Sequence, residues 1–474
     1  MIGRNRELKQ LNALLNKGSA SFVVIQGRRR IGKSRLAQEF AKGFSSFQFM
    51  GMAEDPNITA EMQRAEFARQ LAAQTKKPEL NSNDWGNLWS GLAEATREGR
   101  HIIVLDEISW MGSKDPSFLP KLKTAWDREF SRNPELILMV CGSVSAWIQK
   151  NILSSTAFLG RPSLYLHLNE LPLMDCNAFF GEEGHLLSAY EKLKILSLTG
   201  GVPRYLELID PRESAESNIR RLCFVKDSVL SKEFDFIFND IFGKRSRMYK
   251  ALLAHIMDHK QNLMEVLSAY QKNKTGSYSE YLKDLVLAGF VSREPGFNVK
   301  GETYSRLAYY RIKDNYLRFY LKNIEPYLPQ IEADQLRNAN VTALSGWFAT
   351  LGLQFESLVL NNRNQVIELM GIPFEDLIFS GPYIQRATQR KKACQIDLLI
   401  ETRYKTLYIC EIKFSKNKIG MEVIDEVKEK CARIAAAKHS SIRPVLIHVN
   451  GVTEGVEDAR FFSNIIDFSE LLLN

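Results

Sequence analysis

Apolar and polar positions follow different rhythms along this chain, and the changes of rhythm mark out its parts. Glu7–Leu15 has the three-to-four spacing of an amphipathic helix, and Ser21–Gln26 is a nearly unbroken apolar run. A glycine-bracketed turn follows, and then a second helical stretch, Lys33–Lys42. Ile102-Ile103-Val104-Leu105 and Leu136–Cys141 are further apolar runs, and Tyr165–Leu168 is a candidate for a fourth. Runs without alternation predict strands covered by helices on both faces, as in a parallel α/β sheet. Strand, glycine-rich loop and helix form the opening unit of such a sheet.

From about Met174 to Val229 the rhythm is helical, broken by LTGGVPRYL at 198–206, which predicts a helical lid after the sheet. Residues 239–328 read as three short helices, Arg247–Asp258, Leu263–Tyr270 and Ser279–Ala288, then two strands in GFVSREPG and TYSRLAYYRI. Three helices and a hairpin are the pattern of a winged helix. The prolines of Glu325–Pro329 break the chain and predict a linker near 326–340. A separate α/β domain is expected over 340–474. It has a long helix, Leu344–Asn361, strands around Ala393–Glu401 and Thr406–Phe414, a helix at Val423–Ala436 and a strand at Arg443–Val449. The expected organisation is a sheet domain with its lid over 1–238, a winged helix over 239–328 and the last domain over 340–474.

Composition narrows the class. A chain of 474 residues with 45% hydrophobic and 25% charged residues is a globular protein of about three domains. The net charge of +8 permits a nucleic-acid partner without arguing for one. The six cysteines show neither a C-x-x-C pair nor zinc spacing, so buried reduced thiols are expected. No apolar run is long enough for a membrane span, and the N-terminal MIGRNRELKQL lacks a signal-peptide core; a cytoplasmic protein is the expectation.

The chemistry concentrates in two places. GRRRIGKS at 27–34 fits G-x-x-x-x-G-K-[ST] between a predicted strand and a predicted helix. Gly27 and Gly32 let the backbone turn its N–H groups toward phosphates, Lys33 neutralises β/γ-phosphate charge, and Ser34 offers a hydroxyl to Mg²⁺. Arg28, Arg29, Arg30, Ile31 and Arg35 complete the predicted ATP-binding segment; three arginines inside a phosphate loop are unusual, and a solvated role suits them equally. At the end of IIVLDEIS (102–109), Asp106 suits the metal and Glu107 the attacking water. Ser143, closing LMVCGS, is placed to touch the γ-phosphate or that water. Arg161 and Arg204 are candidates for the positive charge that phosphoryl transfer wants, with surface arginines as the plain alternative.

FVVIQGRRRIGKS, IIVLDEISWM, VCGSVSAW, LGRPS and GGVPRYL together resemble the archaeal-type, AAA-like P-loop ATPases related to the STAND signalling ATPases, over about residues 1–325. The resemblance implies that IGRNREL, with Gly3 and Arg4, lies by the nucleotide base and that Pro203 of Gly201-Val202-Pro203 belongs to a nucleotide-sensing lid. It also implies a nucleotide-driven switch, compatible with a nucleotide-dependent homo-oligomer. The third helix of the winged-helix segment carries Lys283 alone against Glu280 and Asp284, with Lys272 and Lys274 just before it, so packing on the ATPase is favoured over reading DNA. His255 and His259 share a predicted helix face, but no third metal ligand is nearby.

The second place is QIDLLIE (395–401) with CEIKFSK (410–416). Glu411 and Lys413 share a strand face because the period is two, and a neighbouring strand can bring Asp397 beside them. Asp397 and Glu411 would hold Mg²⁺ or Mn²⁺, and Lys413 would orient water for phosphodiester hydrolysis. The set resembles the PD-(D/E)XK nuclease family, with its restriction-endonuclease-like α/β fold, over about residues 345–450. Glu356 matches that family's helical acidic residue, a further expected metal ligand, whereas Ile396 stands where the family has proline. Arg386, Arg390, Lys391 and Lys392 would suit a phosphate backbone, or form a charged hairpin tip. Two readings follow: an ATP-driven switch controlling a metal-dependent nuclease, or a regulatory ATPase whose last domain only binds a partner or nucleic acid.

Overall fold

The apolar runs become interior strands in the computed structural model, which describes residues 1–53, 55, 57–143, 145–257, 261–262, 277–389, 391–434 and 440–472. Five strands, β1 (Ser21–Gly27), β2 (Ser45–Met50), β3 (His101–Asp106), β4 (Ile137–Gly142) and β5 (Pro162–Leu168), form one sheet in the order β2-β3-β4-β1-β5. Every pairing is parallel. β1 and β4 are buried at each position, whereas the edge strands β2 and β5 mix exposed and buried residues. The two faces separate by strand period. Val23, Ile25, Ile102 and Val104 pack with Leu36 and Phe40 of the Lys33–Ala41 helix. Phe22, Val24, Ile103 and Leu105 pack with Phe67, Trp85, Trp89 and Phe118 on the other side. Each fully buried large side chain contributes about 1.5–3 kcal/mol.

The chain divides into two compact units, Met1–Glu170 and Leu171–Asn474. The helical stretch expected as a lid folds with the second. Its helices Ala189–Thr199, Ala215–Cys223 and Val229–Phe242 share one core with the helices Ser246–Ile256 and Ser277–Leu287 and with Trp347 of the Trp347–Asn361 helix. Ile331, in the stretch read as a linker, and Val341, just past it, are buried in that core too. A three-stranded sheet is interleaved with these helices: β6 (Gln261–Asn262), between Ser246–Ile256 and Ser277–Leu287, then β7 (Val291–Asn298) and β8 (Thr303–Ile312), ordered β6-β8-β7 and antiparallel. The expected helix 263–270, His259, Lys272, Lys274 and Arg390 lie outside the described residues.

The third sheet contains β9 (Leu377–Gln385), β10 (Cys394–Thr402), β11 (Thr406–Ile412), β12 (Ser441–His448) and β13 (Asn464–Asp467), in the order β13-β12-β11-β10-β9. β9, β10 and β11 are antiparallel; β11, β12 and β13 run parallel, and the Glu422–Arg433 helix makes the β11–β12 crossover that a parallel pair requires.

The hairpin of β7 and β8 packs on β9. Phe297 stacks on Phe379 with ring centroids 4.4 Å apart, and the Tyr304 hydroxyl donates to the Ile378 carbonyl at 3.1 Å. Behind it, buried Glu294 accepts from Arg311 Nε at 3.1 Å and Arg363 Nη1 at 3.0 Å. Burial pushes the Glu294 carboxyl up, but the Arg311 and Arg363 charges outweigh it and hold the group at about 2. Gln354, fully buried, donates to the carbonyls of Ser197, at 2.8 Å, and Asn315, and accepts from Arg318 at 2.9 Å. All six cysteines are free and five are buried. No described helix is long and apolar enough to cross a membrane.

Candidate functional site: a phosphate loop and a second carboxylate–lysine cleft

The order β3-β4-β1 brings the C-terminal ends of three neighbouring strands together, the edge at which α/β sheets receive ligands. β1 ends in Gly27, where an added Cβ would lie 2.5 Å from the Leu168 carbonyl oxygen, so no side chain fits there. The loop then turns through Arg30 (φ 70°) and Gly32 (φ 92°) into the Lys33–Ala41 helix. No side chain caps that helix, and a helix N-terminus is the end that suits an anion. Lys33 folds back, donating to the carbonyls of Gly27 and Arg28, each at 3.0 Å. Burial lowers its pKa, opposed by the charges of Glu107 and Asp106. An ammonium held only by carbonyls can exchange them for phosphate oxygens.

Asp106 closes β3 and accepts a hydrogen bond from Ser34; burial raises its pKa, with Glu107 adding to the rise and Ser34 and Lys33 opposing it. A buried carboxylate paired with a hydroxyl fits a divalent cation, because oxygen ligands suit a hard ion and the added charge would relieve the desolvation. Glu107 has left-handed backbone (φ 50°), a conformation costing about 1 kcal/mol or more for a non-glycine residue. Its carboxylate is gripped by Ser143, whose N–H donates to Oε2 at 3.1 Å and whose hydroxyl donates to Oε1. Ser143 follows β4, the strand between β3 and β1, so the sheet order sets it between Glu107 and the loop.

The remaining expected residues divide. Arg28 is buried beside Glu170 at 4.0 Å, the Arg29 guanidinium lies 5.9 Å from the Trp110 ring centroid, Ile31 is in the core, and Arg30 and Arg35 are exposed. Gly3 has φ 68°. Arg4 is buried and donates to the carbonyls of Ile31 at 3.1 Å and Asn169 at 2.7 Å, so it props the loop through its backbone. Pro203 begins the Pro203–Leu206 helix of the second unit, and Arg204 pairs there with Glu207. Arg161 is not brought to the Lys33 group. Register pairs Phe22 with Pro162 and Gly27 with Leu168, so Arg161 precedes β5 at the end of the sheet away from the loop, about 20 Å of strand distant. Both its Nε and Nη2 donate to Asp127, at 2.7 and 2.8 Å, and this bond first of all holds the Asp127 carboxyl at about 2.

Residues 1–209 match a family described as an ATPase domain predominantly from Archaea. Those residues include the 27–34 loop and the strand ends that carry Asp106, Glu107 and Ser143. The match runs past the first compact unit through Pro203. An uncharacterised protein of Methanocaldococcus jannaschii is 25% identical over 379 residues, covering 79% of this chain and 80% of that one. Among solved structures, a Walker-type ATPase of Pyrococcus abyssi is 16% identical with a TM-score of 0.49, covering 68% of this chain and 96% of its own. The Aeropyrum pernix ORC2 protein with ADPNP and ADP is 15% identical with a TM-score of 0.39, covering 69% and 95%.

The second constellation forms a cleft of about 620 Å³, lined in part by Gln395, Asp397, Glu411, Lys413, Glu426 and Lys430. Leu398 pairs with Cys410, so Asp397 and Glu411 come next on neighbouring strands. The Ile412 N–H donates to Asp397 Oδ2 at 3.2 Å. Lys413 lies 3.2 Å from Glu411 Oε1 and donates to Glu426 at 2.6 Å, while Lys430 donates to Glu411 Oε2. Burial pushes both lysines down, and the facing carboxylates outweigh it, so both pKa values are raised. Arg386, Lys391 and Lys392 are exposed before β10.

Glu356 is not among the residues lining the cleft. Its helix packs Phe355, Leu358 and Val359 against Leu398, Ile400, Cys410 and Ile412, while Leu399, Leu407 and Ile409 belong to a separate cluster on the opposite face. Glu411 alternates with Ile412 and so shares that opposite face. Among the described residues no three His, Cys, Asp or Glu side chains form a metal-binding group. Two carboxylates on adjacent strands still suit one hard cation, with the Lys430 ammonium standing on an oxygen it would use. Lys430 and Glu426 escaped sequence reasoning: four residues apart on a charged helix, they look like a solvated face, and only the crossover turns them inward.

Proposed function

We infer that the chain binds ATP with Mg²⁺ at residues 27–34, hydrolyses it and uses the bound nucleotide as a switch. The carrying observation is the Ser143 grip on Glu107 beside the buried Lys33 and Asp106. Mg²⁺, held by Ser34 and Asp106, would neutralise charge on the β/γ-phosphates. Lys33 exchanges its carbonyl partners for those phosphates, and the open helix N-terminus adds N–H donors. Glu107 orients water and takes its proton, with Ser143 fixing the carboxylate's direction. Gly201-Val202-Pro203 is read as the nucleotide sensor. A nucleotide titration beside a turnover assay on Glu107→Gln tests the reading: binding persists and turnover falls.

The last domain is read as PD-(D/E)XK nuclease-like, with Asp397 and Glu411 holding Mg²⁺ or Mn²⁺ and Lys413 orienting water at a nucleic-acid phosphate. The second reading, a binding module without catalysis, is favoured by one observation: both Glu411 oxygens have lysine partners. Plasmid and RNA cleavage assays with Mg²⁺ or Mn²⁺, with and without ATP, separate the two. The segment 239–328 is read as a winged helix serving as scaffold, because its hairpin is packed on β9 and its Ser277–Leu287 helix carries Lys283 as its one basic residue.

A further inference from the structure

Glu411 is the most enclosed carboxylate of the second cleft, its side chain 6% exposed, and an ammonium is bound to each of its oxygens. The two ammonium groups are not equivalent. Lys413 follows β11 on the same strand end and shares its charge with Glu426 on the solvent side. Lys430 reaches in from the crossover helix, its side chain 25% exposed, and the charges of both Asp397 and Glu411 act on it. A monovalent cation thus already serves the two carboxylates that the nuclease-like reading assigns to a divalent ion.

We propose that Lys430 is a built-in competitor for that ion: its ammonium neutralises the Asp397–Glu411 pair in the resting chain and must leave Glu411 before Mg²⁺ or Mn²⁺ can bind. The inference rests on the metal-site reading of this cleft and adds its regulation. The Lys430 ammonium repels an arriving cation and competes with it for Glu411 Oε2, so metal affinity is lowered by the free energy of displacing that charge-assisted bond. A phosphate backbone entering the cleft would give Lys430 another partner, so nucleic acid and metal would bind with positive linkage.

The test is a calorimetric titration of the full chain with Mn²⁺ in the absence of nucleotide. Lys430→Met keeps most of the side chain's length and removes the charge; Lys430→Gln is the second variant, and Lys430→Arg keeps the charge. The uncharged variants are expected to bind Mn²⁺ roughly ten- to hundredfold more tightly than wild type. Lys430→Arg should resemble wild type, and the gain should vanish when Glu411→Gln is added to Lys430→Met, which assigns it to this cleft rather than to Asp106. Equal Mn²⁺ affinity in wild type and the uncharged variants, or weaker binding in the variants, overturns the competitor while leaving the metal site standing. Absence of Mn²⁺ binding at this cleft in every form overturns both.

Discussion

The chain carries two groups in which lysines meet paired acids, and they are wired oppositely. In the first, Lys33 is held by main-chain carbonyls while hydroxyls hold the acids: Ser34 bonds Asp106 and Ser143 bonds Glu107. In the second, the lysines are held by the acids themselves. The pKa directions record the difference: that of Lys33 is lowered, those of Lys413 and Lys430 raised. Keeping opposite charges on separate neutral partners leaves each unspent for a ligand. Pairing them directly makes a quiet cleft that a ligand must first pull apart. Glu294 between Arg311 and Arg363 is the limiting case, buried and fully neutralised inside the fold.

Glu107→Gln attacks the first arrangement at its centre. Turnover should fall roughly 10²- to 10⁴-fold with ATP binding retained; wild-type turnover would remove Glu107 from the chemistry. Glu294→Gln probes the limiting case. Leaving two arginines beside an uncharged group should cost about 3–5 kcal/mol of stability in denaturant melts at neutral pH. Because the folded pKa lies below the ordinary 4.5, that stability is present above pH 4.5 and is lost as pH falls through about 2. A variant equal to wild type at neutral pH would show the charges to be dispensable. Lys33→Ala should weaken ATP binding on the order of a hundredfold, and an unchanged titration would withdraw the phosphate-loop assignment. In the second cleft, Lys413→Ala should keep the metal and lose cleavage, a fall of roughly 10²- to 10⁴-fold. Asp397→Ala should lose both, and ATP hydrolysis should survive either change. Smallest of all, Arg161→Ala removes a surface pair worth about 0–1 kcal/mol and should leave turnover unaltered. A large fall in kcat would instead bring Arg161 to the phosphates.

The interior strands were legible because burial on both faces leaves an unbroken apolar run, as in β1 and β4. β2, with the alternating sequence SSFQFM, and the four-residue β13 carry no such run, and β9 hides behind its internal Gly381-Pro382. Local motifs pointed to Lys33, Asp106, Glu107 and Ser143 because the last three lie at or one residue past a strand end, while Lys33 opens the helix that follows the β1 loop. Arg161 and Glu356 depend instead on which end of a sheet and which face of a strand they reach, and sequence spacing encodes neither. Lys430 shows the same limit from the other side, since nothing in a charged helix says which of its turns will face a carboxylate.

Gln354 has a consequence for how the chain comes apart. Its amide ties the ends of helices begun at Ala189 and Asn315 to a helix begun at Trp347, across more than 150 positions of sequence. A protease digesting the native protein should therefore find its durable fragments on either side of Glu170 and Leu171. A nick at the proline-bearing stretch near 326–340 should leave the two pieces associated through a refolding gel, because neither half of the cut chain can satisfy that amide alone.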